Sequence, residues 1–245
     1  MNKLSILFTI LLFIAPQALA QSVNIDLSGD NPTGGALSSK VVQIIGLITI
    51  LSLAPSIFMM VTSFVRVVVV FSLLRTAIGL QQTPPNMVLT SLAIFLTFFI
   101  MAPTFEKSYE YGIKPLINEE ITEDVALLII AKPFHEFMAE NTRDKDLSLF
   151  LDISKIKVEK KEDLPYHILI PAFMLSELKR AFEIGFLIFL PFLIIDLVVS
   201  SVLMAMGMMM LPPVLISMPF KLIFFVLIDG WYVLCGSLVK SYGIA

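Results

Sequence analysis

The chain has 245 residues, of which 57% are hydrophobic and 15% charged, and its mean hydropathy is +0.90. Such a composition is too apolar for an ordinary soluble domain and sets an integral membrane protein as the expectation. A net charge of −3 leaves no basic surplus for nucleic acid, the single Cys235 cannot form an internal disulfide, and His135 and His167 stand apart without ligands at metal spacing.

Residues 1–20 read as a secretory signal peptide, with Lys3 before an apolar Leu4 to Ile14 run and a small-residue site at Ala18-Leu19-Ala20. Cleavage is predicted after Ala20, because the apolar run is shorter than the roughly 20 residues that a span needs. Residues 21–40, with Gly29, Pro32, Gly34 and Gly35, read as a flexible leader. Four hydrophobic stretches follow, at about 41–61, 87–103, 184–206 and 211–234. Backbone groups in hydrocarbon must be satisfied within the segment, so these stretches are expected to be helices.

The charges collect between them: residues 104–183 hold 16 of the 20 acidic and 11 of the 17 basic side chains. The expected organisation is all-α: a first hydrophobic helical pair (41–103), a charged helical domain (104–183), and a second hydrophobic hairpin with a Met-rich loop and C-terminal tail (184–245). With the mature N-terminus outside, residues 62–86, carrying Arg66 and Arg75 and no acid, fall on the inner side. The charged domain and the C-terminus are then periplasmic. Within the charged domain, residues 117–141 carry an amphipathic helical pattern that Pro133 is expected to interrupt or kink. Residues 143–163 read as a charged loop with short helical pieces, and Lys157 to Asp163 as a solvated run.

A run at the end of this domain, Pro171-Ala172-Phe173-Met174-Leu175-Ser176-Glu177-Leu178-Lys179-Arg180-Ala181-Phe182-Glu183-Ile184-Gly185-Phe186, continues into Leu190-Pro191-Phe192-Leu193-Ile194-Ile195-Asp196. It resembles the signature blocks of the FliP family. So do Thr62-Ser63-Phe64-Val65-Arg66 through Leu74-Arg75-Thr76-Ala77-Ile78-Gly79, Met206-Gly207-Met208-Met209-Met210-Leu211-Pro212-Pro213, and Asp229-Gly230-Trp231. The resemblance implies a pore-forming subunit of the flagellar type III protein export gate in the bacterial inner membrane, at the basal body. It also implies a homo-oligomer that joins FliQ and FliR in a hollow helical assembly, beside FlhA and FlhB, and passes unfolded flagellar substrates. The related injectisome gate subunit is an alternative reading.

Met206, Met208, Met209 and Met210 lie around Gly207 and before Pro212-Pro213, where a helix should break. Irregular backbone at membrane depth survives only when buried in protein or lining a cavity. Unbranched, polarizable methionines suit a deformable seal there, and the resemblance assigns the pore gasket to Met208, Met209 and Met210. Asp196, Lys221 and Asp229 stand in otherwise apolar stretches, where an unpaired charge is costly. Lys221 is expected to pair across subunits with Glu177 or Asp196, or else to snorkel toward the inner interface. Arg66, beside an apolar run, is expected to be partly buried and paired, and Arg75 to be a positive-inside anchor. Gly185, Gly207, Gly230 and Gly236 would permit close helix approach.

No His-Glu-x-x-His, Gly-x-Ser-x-Gly or phosphate-cradling Gly-x-x-x-x-Gly-Lys-Ser/Thr pattern occurs, so neither enzyme activity nor a cofactor is expected. The rival from another class is an ion- or proton-coupled small-solute transporter using Asp196 and Asp229, which an absent inverted repeat disfavours. The expected partners are protein subunits and membrane lipid, with no nucleic acid.

Overall fold

The computed structural model describes residues 35–80, 82–156, 158, 163–208 and 211–243, and all regular structure among them is helical. The predicted signal peptide, its cleavage site after Ala20 and most of the leader lie outside the described residues. Helix α1, Gly35–Met60, begins upstream of the predicted start of the first stretch and takes in the end of the expected leader. The chain divides into two compact units at residues 52 and 53. In the first, the α1 side chains Val42, Ile45 and Leu51 are exposed.

The second unit holds α2 (Phe64–Ile78), α3 (Asn86–Ser108), α4 (Lys114–Ile117), α5 (Glu123–Asn141), α6 (Asp144–Ser154), α7 (Tyr166–Ala205), α8 (Pro213–Leu227) and α9 (Gly230–Lys240). Helix α2 contains the run Val67 to Val70, and β-branched residues are indifferent helix formers. Its helicity comes from packing, since Val67, Val70, Phe71 and Leu74 are buried in the core that α2 shares with α7. Gly79 ends it at φ +91°, its N–H bonded to the Thr76 carbonyl while Leu80 bonds back to Arg75, a left-handed cap that suits glycine. A π-helical turn, Tyr109–Ile113, joins α3 to α4, so residues 86–117 form one long helical run.

Helix α7 has 40 residues, about 60 Å at 1.5 Å per residue and twice the thickness of a bilayer core. Pro171 and Pro191 lie inside it without ending it. Its N-terminal half carries Glu177, Lys179, Arg180 and Glu183, and its C-terminal half displays Phe186, Leu190, Leu193 and Leu197 outward. Pro212-Pro213 open α8, where a missing N–H costs nothing. Helices α8 and α9 are bent by 63° at Ile228–Asp229.

Contacts between elements fix their directions. On α2 and α7, Arg66 meets Glu177 and Leu73 meets the open face of Gly185, so the two helices run the same way. Helices α8 and α9 return alongside: Lys221 meets Asp196, Phe225 stands 6.5 Å from Phe192, and Ser241 reaches Arg66. Helix α3 returns beside α2, and Ser108 donates to the Ile130 carbonyl of α5 at 3.0 Å. The unit is therefore two helical hairpins, α2 with α3 and α7 with α8, whose connected helix ends, at Ile78 and Asn86 and at Ala205 and Pro213, lie away from the charged end.

Several expectations change. Pro133 does not interrupt α5. The boundaries drawn at 103/104 and 183/184 fall inside α3 and α7, so both helices run from the charged region into the apolar stretches. The inner-side placement of residue 66 and the outer-side placement of residues 177 and 242 cannot both hold. Arg66 shares a buried contact with Glu177 and Tyr242, both assigned to the outer side, and a bilayer cannot separate residues in contact. Among the described residues, two helices are long and apolar enough to cross a membrane, or up to four if each bent pair counts as one.

Candidate functional site

Three charged sites and one loop carry the chemistry that the sequence singled out. The first joins α2, α7 and the C-terminal tail. The Arg66 and Glu177 side chains are 1% and 0% exposed. Arg66 Nε donates to Glu177 Oε2 at 2.9 Å, Nη2 donates to Oε1, and Nη1 donates to Ser241 Oγ at 2.9 Å. The guanidinium lies 3.8 Å from the centre of the Tyr242 ring, whose hydroxyl also donates to Glu177. Burial first, and then the charge of Glu177, push the Tyr242 phenol well above its ordinary value, so it remains a donor. A bidentate fork, a cation–π contact and further hydrogen bonds meet the demand that a buried ion pair be fully satisfied.

The second site lies further along the same helices. Lys221 is buried and donates to Asp196 Oδ2 at 2.7 Å and to the Ala77 carbonyl at 3.2 Å. Ser217, one turn before Lys221, donates to Asp196 Oδ1 at 2.5 Å. Ala77 is in the last turn of α2, where carbonyls lack helical partners and a cation is favoured. Of the two acids predicted for Lys221, Asp196 is its partner, within the same chain; Glu177 is held by Arg66. The bond expected across subunits is closed internally because α8 folds back beside α7.

Asp229 belongs to neither site. It occupies the α8–α9 break with left-handed backbone, φ 50° and ψ 53°, and its exposed carboxylate makes no ion pair or side-chain hydrogen bond among the described residues. Of the four predicted packing glycines, Gly185 faces Leu73 and Gly230 faces the Phe225 ring. Gly207 and Gly236 have open space.

The methionine loop follows α7 directly. Gly207 has φ +73°, Met206 and Met208 are 56% and 47% exposed, and Met209 and Met210 lie outside the described residues. Helix α7 runs nine residues past Asp196, about 14 Å, so the loop projects beyond the Lys221 site.

Sequence reasoning missed a fourth polar cluster at the charged end. Arg143 forks onto Asp146 at 2.7 and 2.9 Å, and Ser176 of α7 donates to Asp146 at 2.6 Å. It also missed Ser241 and Tyr242, whose distance in sequence from Arg66 gives no local signal. Ser217 was legible, being four residues from Lys221 on one helix face. Among the described residues no three His, Cys, Asp or Glu side chains are grouped to hold a metal ion.

Long apolar helices with outward hydrophobic faces, tied together by buried ion pairs, define a helical membrane protein. The sequence profile of the FliP family matches residues 47–238. The chain is 57% identical to the flagellar biosynthetic protein FliP of Caulobacter vibrioides over 242 residues, 98% of this chain and 90% of that protein. It is 54% identical to the Rhizobium meliloti protein of the same name, covering 91% and 92%, and 52% identical to that of Bacillus subtilis, covering 83% and 93%. The chain belongs to the FliP family.

Proposed function

We propose that this chain is a pore-forming subunit of the flagellar protein export gate. It assembles in several copies with FliQ and FliR, beside FlhA and FlhB, in the inner membrane at the basal body. Unfolded flagellar substrates pass through the assembly. The relatives described above are named as flagellar biosynthetic proteins, which favours a flagellar client over an injectisome.

The observation that carries the reading is the exposed, non-helical backbone at 206–208 and 211–212, at the far end of an apolar hairpin. Backbone outside a helix is tolerated at membrane depth only where protein or a water-filled cavity surrounds it. A lone copy does not surround this loop, but a ring of copies does. Met208, Met209 and Met210 from each copy then form a yielding gasket. The charged end of the hairpins faces the periplasm in this reading and both connections point inward. For the transporter alternative Asp196 is a poor free carboxylate, because Lys221 and Ser217 already engage it.

The test replaces Met208, Met209 and Met210 by alanine together, in cells lacking the wild-type copy. The expected result is an assembled complex that leaks small ions across the inner membrane while still exporting filament protein. Unchanged ion retention in a complex of wild-type abundance would remove the gasket. Solute flux by the purified chain without partners would favour the transporter.

A further inference from the structure

Of the charges on α2, on α8 and at the α8–α9 break, Arg66 and Lys221 are paired within the chain, whereas Arg75 and Asp229, of opposite sign, have no ionic partner among the described residues. Arg75 uses only Nη1, donating to the Pro84 carbonyl at 3.4 Å and to Asn86 Oδ1. Its Nε and Nη2 make no hydrogen bond among the described residues, although guanidinium carries five donors. Asp229 has an exposed carboxylate among exposed Val226, Leu227, Ile228 and Tyr232. A bare acid in such a patch is poorly served by lipid and well served by a cation on another protein surface. The two residues also stand at nearly one depth. Leu73 packs at Gly185, which puts Arg75 level with about residue 187 of α7, and Phe225 packs at Phe192, which puts Asp229 level with about residue 188.

We infer that Arg75 of one copy pairs with Asp229 of the next, as a repeating contact between neighbouring copies of this chain. The inference rests on the multi-copy gate proposed above and names the contact that closes it. The contact is heterologous, using a different surface on each side, as a ring requires. It differs from the Arg66–Glu177 and Lys221–Asp196 pairs, which are spent within one chain.

Two tagged copies are co-expressed, one carrying R75C and the other D229C, both with Cys235→Ala, and are treated in membranes with a short bis-maleimide. A disulfide is not used, because the Cα atoms of an Arg–Asp pair lie farther apart than the ~7 Å it can bridge. The expected product is a cross-linked dimer bearing both tags, absent when either cysteine is missing. Native gels run in parallel separate the two readings. Multimers without the cross-link overturn the Arg75–Asp229 contact and leave the gate standing; absence of multimers from the wild-type chain overturns both. A doubly substituted chain that cross-links only within itself also overturns the contact. As a second arm, Arg75→Asp and Asp229→Arg are each expected to abolish motility, and the two together in one chain to restore it. Failure of the double reversal, with both single variants inserted in the membrane, counts against the pair.

Discussion

Replacing Glu177 by alanine should be among the most damaging single changes in this chain, and the structure sets its scale. The substitution leaves the Arg66 guanidinium, 1% exposed, with only Ser241 and the Tyr242 ring as partners. Removing one member of a buried ion pair costs about 3–5 kcal/mol, mostly because the other charge is stranded. At about 2–4 °C per kcal/mol for a chain of this size, the thermal midpoint in detergent should fall by about 6–20 °C, readable by circular dichroism. Glu177→Gln keeps the size and one acceptor and should fall between wild type and alanine. Combining Glu177→Leu with Arg66→Met removes both charges, so the double variant should lose less than the sum of the two singles. Additive losses in that cycle, or a midpoint within 2 °C of wild type for Glu177→Ala, would refute the reasoning.

At the α7–α8 site, Asp196→Ala should cost more than Lys221→Met, about 3 kcal/mol, because Lys221 is buried at 4% exposure while Asp196 is 31% exposed and can be partly solvated; thermal midpoints of the two variants check the order. Gly112→Ala should destabilise, since a Cβ there would lie 2.4 Å from Ile130 Cγ1 and 3.2 Å from its backbone nitrogen. Overpacking of about 1–3 kcal/mol exceeds a helix-propensity gain of about 1 kcal/mol. In the isolated protein Gly236→Ala should gain about that propensity, because nothing lies within 4 Å, so the two alanines should move the midpoint in opposite directions. Burial raises the Asp146 carboxyl, but hydrogen bonds from Ser176 and Arg143 and the charges of Arg143 and Lys145 outweigh it and hold it below its ordinary value. Its stabilisation is therefore complete above the unfolded value near ~3.9 and is lost as pH falls through the lower folded value. Asp146→Asn should be less stable at neutral pH and lose that acid-side slope, which midpoints measured from neutral to acidic pH would show.

Much of this was written locally. Long, predominantly apolar stretches announced α3, the apolar half of α7, and α8 with α9, because the cost of unsatisfied backbone in hydrocarbon leaves a helix as the open choice. The break at Met206 to Pro213 was legible from Gly207 and the two prolines, and the cost of an unpaired intramembrane charge marked Asp196, Lys221 and Asp229 as sites that need partners. Pro133 does not interrupt α5 because a proline removes one hydrogen bond and the packing of α5 against α3 and α7 outweighs it. The boundary drawn at 183/184 falls inside α7. A change from charged to apolar residues alters what surrounds a helix, not whether the helix continues, and α7 carries on through it.

By itself the sequence determined a helical membrane protein, its family, the site of its loop, and which charges could not stand alone. Periodicity and transfer cost are local quantities that a single segment expresses. Which charge meets which was decided only by the tertiary structure. Arg66, Glu177 and Tyr242 are brought together by the direction of α2 along α7 and the return of α9, and Lys221 finds Asp196 because α8 doubles back. Pairing of that kind depends on helix direction and register, which no segment contains alone. The same geometry ruled out a bilayer between Arg66 and Glu177, which the topology counted from the predicted signal peptide had placed on opposite sides.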